Sequence, residues 1–226
     1  MIRGKEFWYK QLGEGWAEAL KSILKTEELN KLINALNFDY VFVEMYPPEK
    51  KDIFKAFKLC PWESLRAVII GTEPGPYVGI GPLAFSDTSV ISTNSSTDLI
   101  RQCVAEHKKE LYLDFDTSFE YWASQGILML NRSLTCRKGE SNTHRHEWKK
   151  FFGTVLYSIT LHKPGTIFLL WGKEAQKYAE VLSLNHHVFS WEHPMVARKQ
   201  QRKWECPNFF QVDKLLEANE KKPIIW

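Results

Sequence analysis

Three polar residues stand where apolar runs give out. Glu73 follows Val68-Ile69-Ile70-Gly71, Asn131 ends the run Gly126 to Leu130, and His193 lies two residues past the extended piece His187 to Trp191. A carboxylate, an amide and an imidazole that converge on one edge supply general acid/base or electrostatic chemistry. Phe85 and Ser86 close the glycine- and proline-rich loop that begins at Glu73, adding a ring and a hydroxyl. Alone, each has a plainer explanation, since a histidine is commonly structural and an asparagine commonly a cap. Only joint placement makes them a site.

The elements must supply that placement. Ala67 to Ile70, Gly126 to Leu130 and Thr166 to Trp171 are unbroken apolar runs, the signature of strands buried on both faces of a parallel sheet, and His187 to Trp191 is a fourth extended piece. Helical spacing covers Trp16 to Leu36, Asp52 to Phe57, Glu147 to Leu161 and Glu174 to Leu182, while Asp39 to Met45 reads as extended and closes at Pro47-Pro48. Strands alternating with helices predict an α/β fold, a three-layer α/β/α sandwich around a mainly parallel four-stranded sheet. Ligands bind such sheets at the carboxyl ends of the strands. Without repeats, low-complexity stretches or a long linker, residues 1–226 are expected to form a single domain.

Composition narrows the class. In 226 residues, 44% hydrophobic and 25% charged, the balance is that of a globular protein and excludes disordered and fibrous classes. Nine tryptophans belong to a large aromatic core or, alternatively, to a surface on which bases stack. A net charge of +3 permits a polyanionic partner without requiring one, and the run Arg198 to Lys203 is either a phosphate track or a solvated face. Cys60, Cys103, Cys136 and Cys206 form no CxxC pair, which suits reduced thiols in a cytosolic protein. His144, His146, His186 and His187 lack a familiar zinc-ligand spacing. With no apolar signal region in MIRGKEFWYK and no apolar run of about 18 residues, neither export nor membrane spanning is indicated. A cytoplasmic location is expected, nucleoid-associated in a bacterium.

From about Trp16 to Trp226 the chain resembles the family 1 uracil-DNA glycosylases. YPPEKKDIFKAF is similar to the family's YPP segment, VIIGTEPG to its water-activating loop, usually GQDPYH, and GPLAFS to its GLAFS. WASQGILMLNRSLTCRKGESNTH resembles the uracil-recognition strand, and IFLLWGKEAQK, HHVFSWEHP and PNFFQVDKLLEANEKKPIIW follow in family order. The resemblance implies a monofunctional enzyme that draws a nucleotide out of DNA into a pocket and hydrolyses its glycosidic bond. Carried over, Asn131 reads the base edge, Phe85 stacks on its ring, and His193 stabilises negative charge on the departing base. Glu73 positions water and offsets the cationic sugar. DNA is the implied partner, of a chain that is monomeric and needs no metal or organic cofactor.

The chain departs from the family pattern at several positions. Glu73 stands for aspartate and Thr72, counted with the base-binding set, for glutamine. Gly75 replaces a tyrosine that in the family fills the space beside C5 of the base. That loss predicts room for a 5-substituted pyrimidine such as thymine, 5-hydroxymethyluracil or a hypermodified phage base, in base excision or in defence against phage. Alternatively Tyr77 swings back to fill the room. The family's HPSPLS loop is here His193 to Arg198, which makes Met195, Val196 and Arg198 candidates to wedge into the duplex or hold it. Ser86, Ser95, Ser96 and Lys173 complete the expected DNA contacts, Ser95 and Ser96 also being able to cap the following helix. Two other functions remain open at this point: an ordinary uracil remover, or a DNA-binding scaffold without turnover.

Overall fold

The structure is a computed structural model that describes residues 5–75, 79–89, 95–109 and 115–226, with every side chain in them except those of residues 5, 7 and 95. In chain order the amino-terminal part holds helices α1 (Lys5–Leu12), α2 (Glu14–Ala19), α3 (Lys21–Leu24) and α4 (Glu27–Phe42), then strand β1 (Met45–Tyr46) and α5 (Lys55–Leu59). The middle holds β2 (Ala67–Gly71), α6 (Ser95–Lys108), α7 (Glu120–Ser124), β3 (Ile127–Asn131), β4 (Cys136–Arg137) and α8 (Arg145–His162). The rest is β5 (Ile167–Trp171), α9 (Lys173–Gln176), α10 (Ala179–Leu182), β6 (His187–Trp191), α11 (Pro194–Lys199) and α12 (Asn208–Ala218).

The three apolar runs and the fourth extended piece pair as one parallel sheet in the order β3-β2-β5-β6, and every residue of β2, β3 and β5 is buried. Strands without a polar face need cover on both sides, which the helices provide as the outer layers of an α/β/α sandwich. The fold class expected from the sequence is therefore the one observed. A separate antiparallel pair, β1 with β4, joins Met45 to Arg137 and Tyr46 to Cys136.

The expected helix from Trp16 to Leu36 is broken twice. α4 restarts after Thr26, whose hydroxyl accepts from the Leu29 N–H at 3.3 Å, as an N-cap should. The expected extended segment from Asp39 is corrected: α4 continues to Phe42, and only Met45–Tyr46 is strand. Tyr40, Val41, Phe42 and Val43 favour strands, but Asp39 is drawn inward to Arg137 and His144, and that contact overrides local propensity.

The tryptophans belong to the core rather than to an open stacking surface. Trp8, Trp16, Trp122, Trp148, Trp171, Trp204 and Trp226 are buried, while Trp62 and Trp191 pack against the same core. One chain of ring contacts runs from Trp226 through Phe209 and Trp171 to Phe85 and His193. All four cysteines are free and buried. Among the described residues no helix is long and apolar enough to cross a membrane.

His186 lies just before β6, 8% exposed, edge-on to Phe168, and neither of its ring nitrogens has a protein hydrogen-bond partner. Burial, followed by the neighbouring His187, holds its pKa below the usual histidine value. The folded state thus favours neutral His186, so its contribution is complete above about pH 6.5 and is lost as pH falls through the depressed folded value. His186→Phe should flatten the fall in Tm below about pH 6.5 and raise Tm by about 2–4 °C at neutral pH, read by thermal denaturation across pH.

Candidate active site

Register builds the site. Gly71 at the end of β2 pairs with Asn131 at the end of β3, and Trp171 at the end of β5 pairs with Trp191 at the end of β6. The segments leaving those four strands share one edge: Ser133 N–H bonds Thr72 O at 3.0 Å, and Gly172 N–H bonds Trp191 O at 2.8 Å. Gly71 is obligatory, since a Cβ there would lie 2.4 Å from Asn131 Oδ1 and 2.8 Å from Ala84 Cβ. Gly172 adopts φ +93°, and a Cβ on it would come within 2.8 Å of His193 Cβ. Two bare backbone positions therefore make the space that Asn131 and His193 occupy.

Asn131 is 2% exposed. Its Nδ2 donates to Pro82 O at 3.4 Å, and its Oδ1 has no protein donor. A buried acceptor without a partner costs about 1–3 kcal/mol, so this amide is poised for a ligand N–H. Phe85 sits in the left-handed region at φ +64°. Three bonds hold it there: Ala84 N–H to Met129 O at 3.1 Å, Ser86 N–H to Leu83 O at 3.1 Å, and Thr97 Oγ1 to Phe85 O at 2.5 Å. Backbone strain fixed in this way belongs where a ring must stand at a set position. That ring is 5.5 Å from His193 and 5.4 Å from Trp171, centroid to centroid.

His193 caps the short helix α11. Its Nδ1 accepts the Met195 N–H at 3.1 Å, which leaves the ring proton on Nε2, and burial depresses its pKa. A neutral imidazole with an Nε2–H donor stabilises negative charge as it develops, without first binding a proton.

Glu73 is half-buried and shares the Asn142 N–H between Oε1 at 2.9 Å and Oε2 at 2.7 Å. Burial raises its pKa above the ordinary carboxylate range, opposed by the Asn142 N–H, the Ser141 hydroxyl, Arg132 and His144. The edge thus carries a buried amide acceptor at Asn131, a fixed ring at Phe85, a neutral imidazole donor at His193 and, in the loop leaving β2, the carboxylate of Glu73. Among the described residues no group of three or more His, Cys, Asp or Glu is arranged to hold a metal.

Residues 57–218 match the Uracil DNA glycosylase superfamily. A protein of Coxiella burnetii named uracil-DNA glycosylase is 32% identical over 97% of this chain and 93% of its own length. The chain belongs to the uracil-DNA glycosylase superfamily. It is thus a monofunctional DNA glycosylase, a hydrolase of the N-glycosidic bond. A Fusobacterium nucleatum protein of the same name is 29% identical over 96% of each chain. The fold is shared with the crystal structure of mimivirus uracil-DNA glycosylase, with TM-score 0.84 at 17% identity over 100% of this chain and 90% of that one.

The glycosylase fold places the other expected residues unevenly. Thr72 is half-buried at the end of β2, its carbonyl engaged by Ser133. Ser86, expected at the DNA, is instead fully buried: its Oγ donates to Leu83 O at 2.8 Å and fastens the turn, so no phosphate can reach it. Lys173 is exposed at the start of α9, beside the glycine that abuts His193. On α11 Met195 is half-buried, while Val196 and Arg198 are exposed. Ser96 is half-buried in the first turn of α6. The Ser95 side chain and Tyr77 lie outside the described residues, and with Tyr77 the notion that it fills the base pocket.

Gly75 is not bordered by open space. A Cβ on it would lie 2.8 Å from Ile80 Cγ1 and 3.0 Å from Ile80 Cγ2, so Ile80 packs against that side of the glycine. Sequence reading passed over Ile80, Asn142, Ser141 and Arg132. Arg132 directly follows Asn131, is only 11% exposed at its side chain, and bonds Glu174 at 2.9 Å.

Two outcomes follow from this geometry. Gly71→Ala should lower the glycosylase rate about a hundredfold by displacing the Asn131 amide, and should lower Tm by several degrees because Ala84 must also give way. The rate should also show an acid limb set by Glu73, falling as pH drops through a value above the ordinary carboxylate range, and Glu73→Gln should abolish that limb.

Proposed function

We propose that this glycosylase removes uracil from DNA, acting as a single chain in base excision. The observation that carries the reading is the Asn131 amide. Its Nδ2 is oriented by Pro82 O, leaving Oδ1 as a buried acceptor without a donor. Uracil offers N3–H to that oxygen and O4 to the amide NH2, whereas cytosine presents an acceptor at N3 and leaves Oδ1 unpaired. The names of the relatives support the same base.

A second reading, removal of a 5-substituted pyrimidine, is favoured by Gly75, where no ring stands. Against it, Ile80 fills the Cβ side of that glycine. One panel separates the two: oligonucleotides carrying uracil, thymine, 5-hydroxymethyluracil, 5-hydroxymethylcytosine or its glucosylated form, scored for abasic sites. Cleavage of uracil at least a hundredfold faster than the others is expected. Cleavage of a bulkier base at the rate of uracil overturns the first reading. Glu73→Gln should lower the single-turnover rate on uracil by about 10²–10⁴-fold; binding without any turnover by the native chain would instead mark a scaffold.

For the hold on DNA we assign phosphate contacts to Lys173 and Arg198, and the wedge to Val196, the exposed apolar residue of α11. Arg202 and Lys203 are partly neutralised by Glu192 and Glu106. Lys173→Ala with Arg198→Ala should weaken binding to all sequences alike and reduce the slope of log K against log salt by about 2.

A further inference from the structure

The carboxylate that faces the sugar in the proposed reaction is held from outside its own loop. Glu73 takes its hydrogen bonds from Asn142 and Ser141, near the tip of the segment that begins in β4 at Cys136 and ends at His144, the residue before α8. The segment folds back on itself, with Arg137 N–H bonding Thr143 Oγ1 at 2.9 Å, Glu140 N–H bonding Arg137 O at 3.1 Å, and Asn142 turning through φ +62°. Cys136 Sγ reaches Pro74 O at 3.0 Å, so the same segment also touches the residue after Glu73.

Both feet of this segment stand on one buried acid. Asp39, 5% exposed on α4, accepts Arg137 Nε at 2.9 Å on Oδ2 and Arg137 Nη2 at 3.1 Å on Oδ1. The same Oδ2 meets His144 Nε2 at 2.8 Å. Behind it, His144 Nδ1 meets Thr135 Oγ1 at 2.9 Å, and Trp148 Nε1 donates to that hydroxyl at 2.8 Å. Trp148 N–H donates to Thr135, and His144 bridges Thr135 and Asp39 through its two ring nitrogens. All three heavy-atom distances are those of ordinary hydrogen bonds, so no member is left unpaired. Although burial works against its charge, Asp39 titrates below the ordinary carboxylate range because Arg137 and His144 outweigh that burial.

We infer that Asp39, with Arg137 and His144, is a positioning group of the catalytic site: it clamps both ends of the 136–144 segment so that Asn142 and Ser141 hold the Glu73 carboxylate at the substrate. The inference rests on the catalytic reading of Glu73. Asp39 touches no reacting atom, and its effect passes through the loop. A pairing that only stabilised the fold would not need both partners to flank the segment whose tip binds Glu73.

The experiment uses the full chain and uracil-containing single-stranded DNA under single-turnover conditions. Asp39→Asn keeps the shape and removes the charge. Arg137→Gln loosens one foot at a side chain 41% exposed, so it keeps the question open should Asp39→Asn fail to fold. Each folded variant should lose at least tenfold in rate, with Kd for DNA within twofold. Its Glu73 acid limb should also move to higher pH, since loosening Asn142 and Ser141 leaves Arg132 and His144 as the groups that favour the charged form, with Cys136 the neighbouring thiol. In a Glu73→Gln background the same changes should add less than twofold. A folded Asp39→Asn and a folded Arg137→Gln with native rate and acid limb overturn the inference, as does a loss that multiplies fully with Glu73→Gln. If instead Glu73→Gln alone leaves the rate intact, the catalytic reading of Glu73 is what has failed.

Discussion

The site depends on the in-register parallel pairing of β2 with β3. Gly71 opposite Asn131 lets a side-chain amide lie against bare backbone, where a single added carbon would meet its oxygen at 2.4 Å. A one-residue slip would exchange the faces of every residue in the strand and take Asn131 from the edge. Apolar residues on both faces of β2, β3 and β5 would tolerate such a slip, so the register is held instead by the close fit of Gly71 against Asn131 and Ala84 and by the bond from Ser133 N–H to Thr72 O.

On this edge, low solvent access pushes two titrating groups toward neutrality with opposite consequences for chemistry. For His193 neutrality is useful, because an Nε2–H donor is wanted and the Met195 N–H already fixes the tautomer. For Glu73 it is a cost, since the anion is the form that answers a cationic sugar. Here the surroundings resist: a backbone N–H, a hydroxyl and the charge of Arg132 all favour the ionised carboxylate. Arg132 is itself held by Glu174, which limits how far its charge acts alone.

The sheet was legible in the sequence because buried parallel strands are unbroken apolar runs, and their ends named Glu73, Asn131 and His193 directly. Helix limits were less legible. Tyr40 to Val43 carries strand-forming side chains, yet a contact nearly a hundred residues away along the chain, Asp39 with Arg137, keeps Asp39 on a helix. Ser86 illustrates the same limit at the site, since its hydroxyl type suggests a phosphate while its neighbour Leu83 O has already claimed it. Asn142 acts through a backbone N–H, of which a residue type carries no mark, and Ser141 through a hydroxyl that only the turn brings to Glu73. Ile80 could not be placed against Gly75 from spacing alone, because the loop between them sets that distance.

The contact between Gly75 and Ile80 also orders the mutational routes open to this pocket. Ile80 branches at Cβ and has few rotamers to retreat into, so any side chain introduced at position 75 first meets carbon at about 3 Å. A side chain at position 75 therefore requires Ile80 to shift or to become smaller, which couples the two positions energetically.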